Sequence, residues 1–206
     1  MKIPCPTSSL GWHAAPAPSA PPLVKTWLAR PGALTAGLRA LGAFRLRVLG
    51  EYAQGVPPDE AHGMGLAPGT PVWVREIVMS VDGVDAVMAR SLTPLQASHG
   101  VWQGMRRLRT RPLADMLYHD RGIRRSAFAC STVKRGVALR GPARNVLPAD
   151  TRESAGLWAR RSAFWRAGQP LLVTECFMPG FWAAAAARPE AVGQQAWDAG
   201  GAARRR

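Results

Sequence analysis

In two segments of the chain, runs of apolar residues that favour β-strands lie on either side of a short turn. Residues 71–94 and 156–179 each contain two runs rich in Val, Ile, Leu, Met, Phe and Trp. Asp82-Gly83 separates the runs of the first segment and Ala167-Gly168 those of the second, and short turns between apolar runs are typical of β-hairpins. The pattern therefore predicts four strands arranged in two hairpins.

The two hairpin segments also share an internal repeat. Counted from the tryptophan that begins each unit, the arginine, glycine, charged residue and proline lie at identical offsets. The repeated positions are Trp73, Arg75, Gly83, Arg90 and Pro94, and Trp158, Arg160, Gly168, Glu175 and Pro179. Chance similarity is the alternative explanation, because hairpins are common.

Apolar residues recur at helical spacing before and between the hairpins. Leu34, Leu38 and Leu41 indicate a helix within residues 23–42, and residues 95–119 are predicted to be helical in two pieces. Apolar residues at this spacing, Leu113 among them, usually belong to a hydrophobic core.

The remaining segments predict two further strands and two loops. Residues 44–48 and 123–134 have strand character, whereas 55–71 and 136–154 are rich in Gly and Pro and predict loops. The expected fold class is α+β: a single domain with an antiparallel sheet of about six strands covered by helices.

Length and composition fit one domain with a real core. The chain has 206 residues, of which 47% are hydrophobic. Residues 1–22 are rich in proline and predict a disordered leader, residues 23–182 the domain, and residues 183–206 a flexible basic tail. No apolar run reaches the roughly 18–20 residues that a membrane-spanning helix requires, so membrane insertion is not expected.

The cysteines and the charge restrict location and partners. Three cysteines without metal-type spacing argue against a disulfide framework and against a metal site, and favour a cytoplasmic protein, which we expect to be a monomer. A net charge of +14 would attract nucleic acid, acidic lipid headgroups or small anions. The strands lack the aromatic signature of RNA-recognition domains, so no specific nucleic-acid partner is expected.

Two charged residues are predicted to point among apolar neighbours. Arg75 shares a strand face with Ile77, and Glu175 shares one with Val173. Because burying an unpaired charge is costly, each needs a partner. The two can form an ion pair that holds the hairpins in register. Alternatively, Arg75 binds a ligand carboxylate and Glu175 accepts a hydrogen bond from a ligand hydroxyl.

Two other arginines belong to the same repeat. Arg90 lies on a strand face with Met88 and Leu92 and is a further candidate for an anion site. Arg160 lies in a strand whose two faces both mix apolar and basic residues, so we expect it to be exposed to solvent or packed at a sheet edge.

The hairpin sequences resemble those of the chorismate lyase family. The similarity is carried by Trp73-Val74-Arg75-Glu76-Ile77, Asp82-Gly83, Ala89-Arg90, Arg111-Pro112-Leu113, Gly156-Leu157-Trp158-Ala159-Arg160-Arg161-Ser162 and Pro170-Leu171-Leu172-Val173-Thr174-Glu175. It spans most of residues 23–182. The resemblance implies that chorismate is converted to 4-hydroxybenzoate and pyruvate, early in ubiquinone synthesis and without a metal or organic cofactor.

The resemblance also implies roles for individual residues. Arg75 would hold the ring carboxylate and Glu175 the ring hydroxyl, while Leu34 and Leu113 would line a cavity enclosed by helical flaps. Arg90 is an additional candidate for binding the substrate. The UTRA ligand-binding domains of bacterial transcription regulators share this architecture, so a non-catalytic small-molecule sensor is the alternative function.

Overall fold

The computed structural model describes residues 11–118, 120–149 and 156–192. Its strands are β1 (Phe44–Gly55), β2 (Pro71–Val81), β3 (Val84–Pro94), β4 (Arg124–Arg125), β5 (Ala129–Thr132), β6 (Trp158–Arg166) and β7 (Gln169–Phe177). They form one antiparallel sheet in the order β1-β2-β3-β7-β6-β4, with β5 also paired to β6. The predicted α+β class and both hairpins are confirmed, and the described residues contain seven strands rather than about six.

Helices connect the strands and cover them. They are α1 (Pro22–Ala29), α2 (Leu34–Leu41), α3 (Pro58–Met64), α4 (Ala114–Leu117), α5 (Arg140–Val146) and α6 (Pro179–Ala187), with short 3₁₀ helices at Ala97–His99, Gln103–Arg107 and Pro189–Val192. The single helix predicted over residues 23–42 is two helices. Pro31 disfavours helical geometry at Arg30, which is extended at ψ 122°, and Gly32 has a φ of 75°.

Several segments differ from the sequence prediction. The predicted loops 55–71 and 136–154 contain α3 and α5. Helix α3 forms because Pro58 suits a first helical turn, acidic residues follow it, and Gly65 ends it in the left-handed region. Residues 95–119 contain two 3₁₀ helices and one short α-helix in place of two helical pieces.

The predicted outer boundaries also need correction. Residues 11–22 pack onto the domain, because Trp12 is buried and His13 exchanges two backbone hydrogen bonds with Cys130. At the other end, α6 continues past residue 182. The predicted leader is therefore wrong for residues 11–22, while residues 1–10 and 193–206 lie outside the described part of the chain.

Each face of the sheet packs against its own layer. Helices α1, α2 and α6 cover one face, where Trp27, Leu38 and Phe181 pack against Ile77 and Phe177. Trp12 and the segment around α5 cover the opposite face. Among the described helices, none has the length and apolar character that crossing a membrane demands. The face beneath α1 and α2 is the one that carries the candidate site.

A β-bulge in the first hairpin sets which side chains reach that face. Met79 pairs with Val87 and Ser80 with Asp85, which leaves Ala86 as an extra residue on β3. Beyond it, Arg90 pairs with Glu76 instead of Arg75. Because side chains alternate along a strand, one added residue moves every following side chain to the other face.

Candidate active site

A cavity lies between the sheet and the segments that precede α2 and α4. Its empty space is about 540 Å³ when the open solvent at its mouth is included. Strands β2, β3, β6 and β7 form its floor, residues 32–35 and 112–118 form its roof, and Arg125 and Phe128 close one side. A concave space with a largely apolar lining and few polar groups is typical of small-molecule sites.

Strand pairing arranges the floor in two rows of aligned residues. The first row is Arg75, Ser91, Val173 and Ser162, and the second is Ile77, Ala89, Glu175 and Arg160. Arg75 and Glu175 are two strands and two residues apart, which places their Cα atoms roughly 12 Å from one another. The floor therefore presents polar groups on both sides of an apolar centre.

Glu175 and Arg160 form an ion pair at one side of the floor. Nε of Arg160 donates to Oε2 of Glu175 at 2.6 Å. Nη1 of Arg160 donates to the carbonyls of Trp27 and Arg30 at 3.1 and 2.8 Å, near the end of α1. Within the described residues, Oε1 of Glu175 has no hydrogen-bond partner and remains available to a ligand hydroxyl.

The expectation that Arg160 is exposed or lies at an edge is wrong. Its side chain is 1% exposed and lines the cavity. Helix ends leave carbonyls without intrahelical partners, and the carbonyls near the end of α1 take the place of water around this guanidinium. The internal repeat contained the relevant signal, since Arg160 occupies the position that Arg75 has in the first hairpin.

Arg75 links the floor of the cavity to the segment that leads into its roof. Its Nε donates to Oε1 of Glu51 at 3.0 Å, and its Nη2 donates to the carbonyls of Arg109 and Arg111 at 2.6 and 3.3 Å. These carbonyls lie just before Leu113. Burial lowers the pKa of Arg75, an effect that Glu51 opposes. Nη1 has no hydrogen-bond partner within the described residues.

The structure answers whether Arg75 and Glu175 form the predicted ion pair. Arg75 and Glu175 do not pair with one another, because Arg75 binds Glu51 and Glu175 binds Arg160. Glu175 lines the cavity, whereas Arg75 lies beside it, in the first row next to Ser91. Both side chains therefore belong to the cavity face of the sheet.

Leu34 and Leu113 line the roof of the cavity. Leu34 is the first residue of α2, and Leu113 directly precedes α4. Both are buried apolar residues. The backbone N–H of Leu34 lies in the first turn of α2, where N–H groups lack intrahelical acceptors.

The structure does not bring Arg90 to the cavity. The bulge at Ala86 turns its side chain to the opposite face, where both its Nε and its Nη2 donate to the carboxylate of Glu60, at 2.7 and 3.2 Å. Its Nη1 donates to Glu76 and to the hydroxyl of Tyr52. Burial disfavours the charge of Arg90, but the bonds to Glu60 outweigh it and raise its pKa.

Sequence reasoning missed a second arginine on the cavity wall. Arg125 lies on β4, its Nε donates to Oγ of Ser162 at 3.1 Å, and its Nη1 reaches the hydroxyl of Tyr118 at 3.4 Å. Its guanidinium carbon lies 3.7 Å from the ring centroid of Phe128. The sequence shows only two adjacent arginines, and pairing with β6 decides which of them faces the cavity.

The site carries an excess of positive charge. Arg125 and Arg160 line the cavity, Arg30 lies beside Arg160, and Glu175 is the carboxylate among them. Three guanidinium groups against one carboxylate leave two positive charges in excess, which suits an anionic ligand. Within residues 11–118, 120–149 and 156–192, no group of three or more His, Cys, Asp or Glu residues is arranged to hold a metal ion.

Comparisons with known proteins extend over nearly the whole chain. The family model described as chorismate lyase matches residues 8–187. A probable chorismate pyruvate-lyase of Bordetella pertussis is 64% identical over 91% of this chain and 97% of its own length. A probable chorismate pyruvate-lyase 1 of Pseudomonas entomophila is 38% identical over 84% of this chain and 91% of its own.

A solved structure shares the fold at low sequence identity. PhnF from Mycobacterium smegmatis is similar to this chain with a TM-score of 0.50 and 15% identity, over 73% of this chain and 65% of PhnF. At this identity the likeness concerns the fold and carries no information about the ligand.

Proposed function

Since this chain belongs to the chorismate lyase family, we propose that it eliminates pyruvate from chorismate to give 4-hydroxybenzoate. One observation carries this proposal: Glu175, with one carboxylate oxygen open, lines a cavity that has an excess of guanidinium charge. In the proposal the enzyme works without a metal or organic cofactor, as a cytoplasmic monomer, and its product enters ubiquinone synthesis.

The proposed reaction needs positioning more than covalent chemistry. Chorismate carries two carboxylates, a ring hydroxyl and an enolpyruvyl ether. The hydroxyl-bearing ring carbon loses a proton, and the electrons of that C–H bond form the third double bond of the aromatic ring as the C–O bond of the ether breaks. The leaving group departs as enolpyruvate with the electrons of the C–O bond, and a proton taken up at its methylene carbon converts it to pyruvate. Holding the dianion with these bonds aligned is therefore the principal task of the site.

The residues at the cavity suit this task. Oε1 of Glu175 accepts a hydrogen bond from the ring hydroxyl, while Arg160 fixes the other oxygen. Nη1 of Arg75 binds the ring carboxylate from the opposite side of the floor. The separation of roughly 12 Å between the two Cα atoms leaves room for a six-membered ring. Leu34 and Leu113 provide the apolar wall above it.

The direct test is incubation of the purified protein with chorismate alone, followed by chromatography of both products. We expect equal amounts of 4-hydroxybenzoate and pyruvate, formed far faster than in a protein-free sample. Tight chorismate binding without turnover would instead favour the alternative, a small-molecule sensor of UTRA type. Neither binding nor turnover would refute both functions.

Replacing Arg75 with alanine should weaken the binding of substrate and product alike. The change removes a charge-assisted hydrogen bond to the ring carboxylate, so we expect a rise of about 10- to 100-fold in both the KM for chorismate and the Kd for 4-hydroxybenzoate. Lysine at this position should restore only part of the affinity, because it lacks the planar donor fork. Steady-state kinetics and calorimetric titration measure the two constants.

The matched control for Arg75→Ala is Arg45→Ala. Arg45 lies on β1, which pairs with β2, and it is exposed on the protein surface. It should leave KM and Kd close to those of the unmodified enzyme. Equal behaviour of the two variants would contradict the assignment of Arg75.

A further inference from the structure

Of the two arginines that line the cavity, Arg125 and Arg160, Arg125 has no anionic partner among the described residues. Arg75 pairs with Glu51 and Arg160 pairs with Glu175. Among the described residues, the partners of Arg125 are two neutral hydroxyls and the rings of Phe128 and Phe164. We propose that Arg125, together with the hydroxyls of Ser162 and Tyr118, binds the second carboxylate of the substrate, the one on the enolpyruvyl group. This inference rests on the proposed function.

The cost of burying the charge of Arg125 indicates that an anionic ligand binds beside it. The side chain is half-buried on the cavity wall, and burial lowers its pKa. The ring of Phe128 lies close to both arginines of the wall, with Arg125 at 3.7 Å and Arg160 at 4.2 Å from its centroid. Two guanidinium groups in contact with one ring repel each other. An anionic ligand between the floor and this wall would relieve that repulsion and offset the desolvation of Arg125.

The position of Arg125 also fits a ligand with two carboxylates. Ser162, to which Arg125 donates, lies in the same row of the floor as Arg75, three strands away. At the usual strand spacing their Cα atoms are roughly 14 Å apart. Guanidinium groups thus occupy opposite sides of the cavity, and Glu175 lies between them in the neighbouring row.

The hydroxyl of Ser162 completes this subsite. Its oxygen accepts a hydrogen bond from Nε of Arg125, which leaves its hydrogen free to point at a carboxylate oxygen. Ser162 is buried, so it would meet the ligand and little water. A carboxylate there receives a charge-assisted bond from Arg125 and a neutral bond from the serine.

The two carboxylates make this subsite testable, because the substrate carries both and 4-hydroxybenzoate carries only the one on the ring. Arg125→Ala should lower kcat/KM for chorismate by about 10- to 100-fold, the loss of one charge-assisted hydrogen bond. The Kd of 4-hydroxybenzoate, measured by calorimetric titration, should stay within twofold of the unmodified value. Unchanged product binding also demonstrates that the variant is folded.

Three further variants sharpen the experiment. Arg125→Lys keeps the charge and should recover part of kcat/KM. Arg124→Ala, on the same strand but exposed, should have no effect and is the matched control. Ser162→Ala should lower kcat/KM by a smaller factor than Arg125→Ala, because it removes a neutral donor.

The possible outcomes separate this inference from the proposed function. A fall in product affinity that matches the fall in kcat/KM would overturn the subsite, because Arg125 would then bind the ring carboxylate. An unchanged kcat/KM would overturn it as well. If the unmodified protein has no lyase activity, calorimetric titration with chorismate replaces the kinetic assay. The subsite is supported if Arg125→Ala binds chorismate more weakly than the unmodified protein does but binds 4-hydroxybenzoate equally well. It is refuted if the variant and the unmodified protein bind both compounds equally well.

Discussion

Replacing Glu175 with glutamine is expected to lower kcat for chorismate by about 100- to 10,000-fold, the range over which positioned acid–base groups contribute to catalysis. Glutamine retains an oxygen that can accept the hydrogen bond from Nε of Arg160, so the neighbouring structure should persist. It loses the negative charge that strengthens the hydrogen bond from the ring hydroxyl and stabilises the proton as it leaves the adjoining ring carbon. Stopped assays for 4-hydroxybenzoate with saturating chorismate measure the effect.

The control for Glu175→Gln is the corresponding change at a partly exposed surface carboxylate. Asp85 forms an ion pair with Arg47 at the surface, and Asp85→Asn should leave kcat unchanged. A Glu175→Gln enzyme with more than a tenth of the normal kcat would show that the carboxylate is not needed. That result would contradict the role assigned to Glu175 without contradicting the lyase activity itself.

Replacing Arg90 with methionine is expected to lower the free energy of unfolding by about 3–5 kcal/mol, the usual cost of breaking a buried ion pair from one side. Arg90 neutralises Glu60 and Glu76, and the side chains of Arg90 and Glu60 are each 3% exposed. Methionine removes the guanidinium to which both carboxylates are hydrogen-bonded. Urea denaturation followed by tryptophan fluorescence measures the difference.

The pH dependence of this loss has a definite sign. Burial already raises the pKa of Glu60 in the native protein, even with Arg90 bound to it. Without Arg90 the pKa rises further, so at a pH between this pKa and that of an ordinary glutamate the folded protein binds more protons than the unfolded chain. The deficit in stability should therefore shrink as the pH falls towards the pKa of an ordinary glutamate.

The comparison variant for Arg90→Met is Arg47→Met. The side chain of Arg47 is 56% exposed in its ion pair with Asp85, and such surface pairs contribute under about 1 kcal/mol. An Arg90→Met protein that is as stable as Arg47→Met would mean that Glu60 and Glu76 find other partners in the folded state.

Local sequence was sufficient for the parts of the fold that depend on short-range chemistry. The turns at Asp82-Gly83 and Ala167-Gly168 form with Asp82 and Ala167 at positive φ and a glycine after each. The alternation of side chains then places Arg75 and Glu175 on the face that the cavity occupies. Both steps need only the neighbouring residues.

Local sequence could not predict the face of the sheet on which the side chain of Arg90 lies. The repeat gives Arg90 and Glu175 the same offset, yet they lie on opposite faces because one hairpin has a bulge and the other does not. Val84 to Met88 carries no glycine or proline that marks Ala86 as the extra residue. Without this bulge the guanidinium groups of Arg90 and Arg75 would lie directly opposite each other, and like charges in that arrangement are destabilising.

Long-range contacts account for the other differences. Arg160 is buried because carbonyls of Trp27 and Arg30, more than a hundred residues earlier, solvate its guanidinium. Arg125 reaches the cavity because β4 pairs with β6. Neither contact leaves a periodic signal in the sequence. The number of charged side chains at the cavity could therefore be determined only from the folded structure.

The bonds from Arg75 to the roof bear on how ligands enter and leave. A ligand at the floor lies beneath residues 112–118, and Arg75 holds the segment that leads into this cover through the carbonyls of Arg109 and Arg111. In the proposed reaction the product keeps the carboxylate that Arg75 binds, whereas pyruvate does not. The two products should therefore depart on different timescales, pyruvate first. The lifetime of these hydrogen bonds, rather than the breaking of a bond in the substrate, would then govern how quickly the aromatic acid becomes available to the next enzyme.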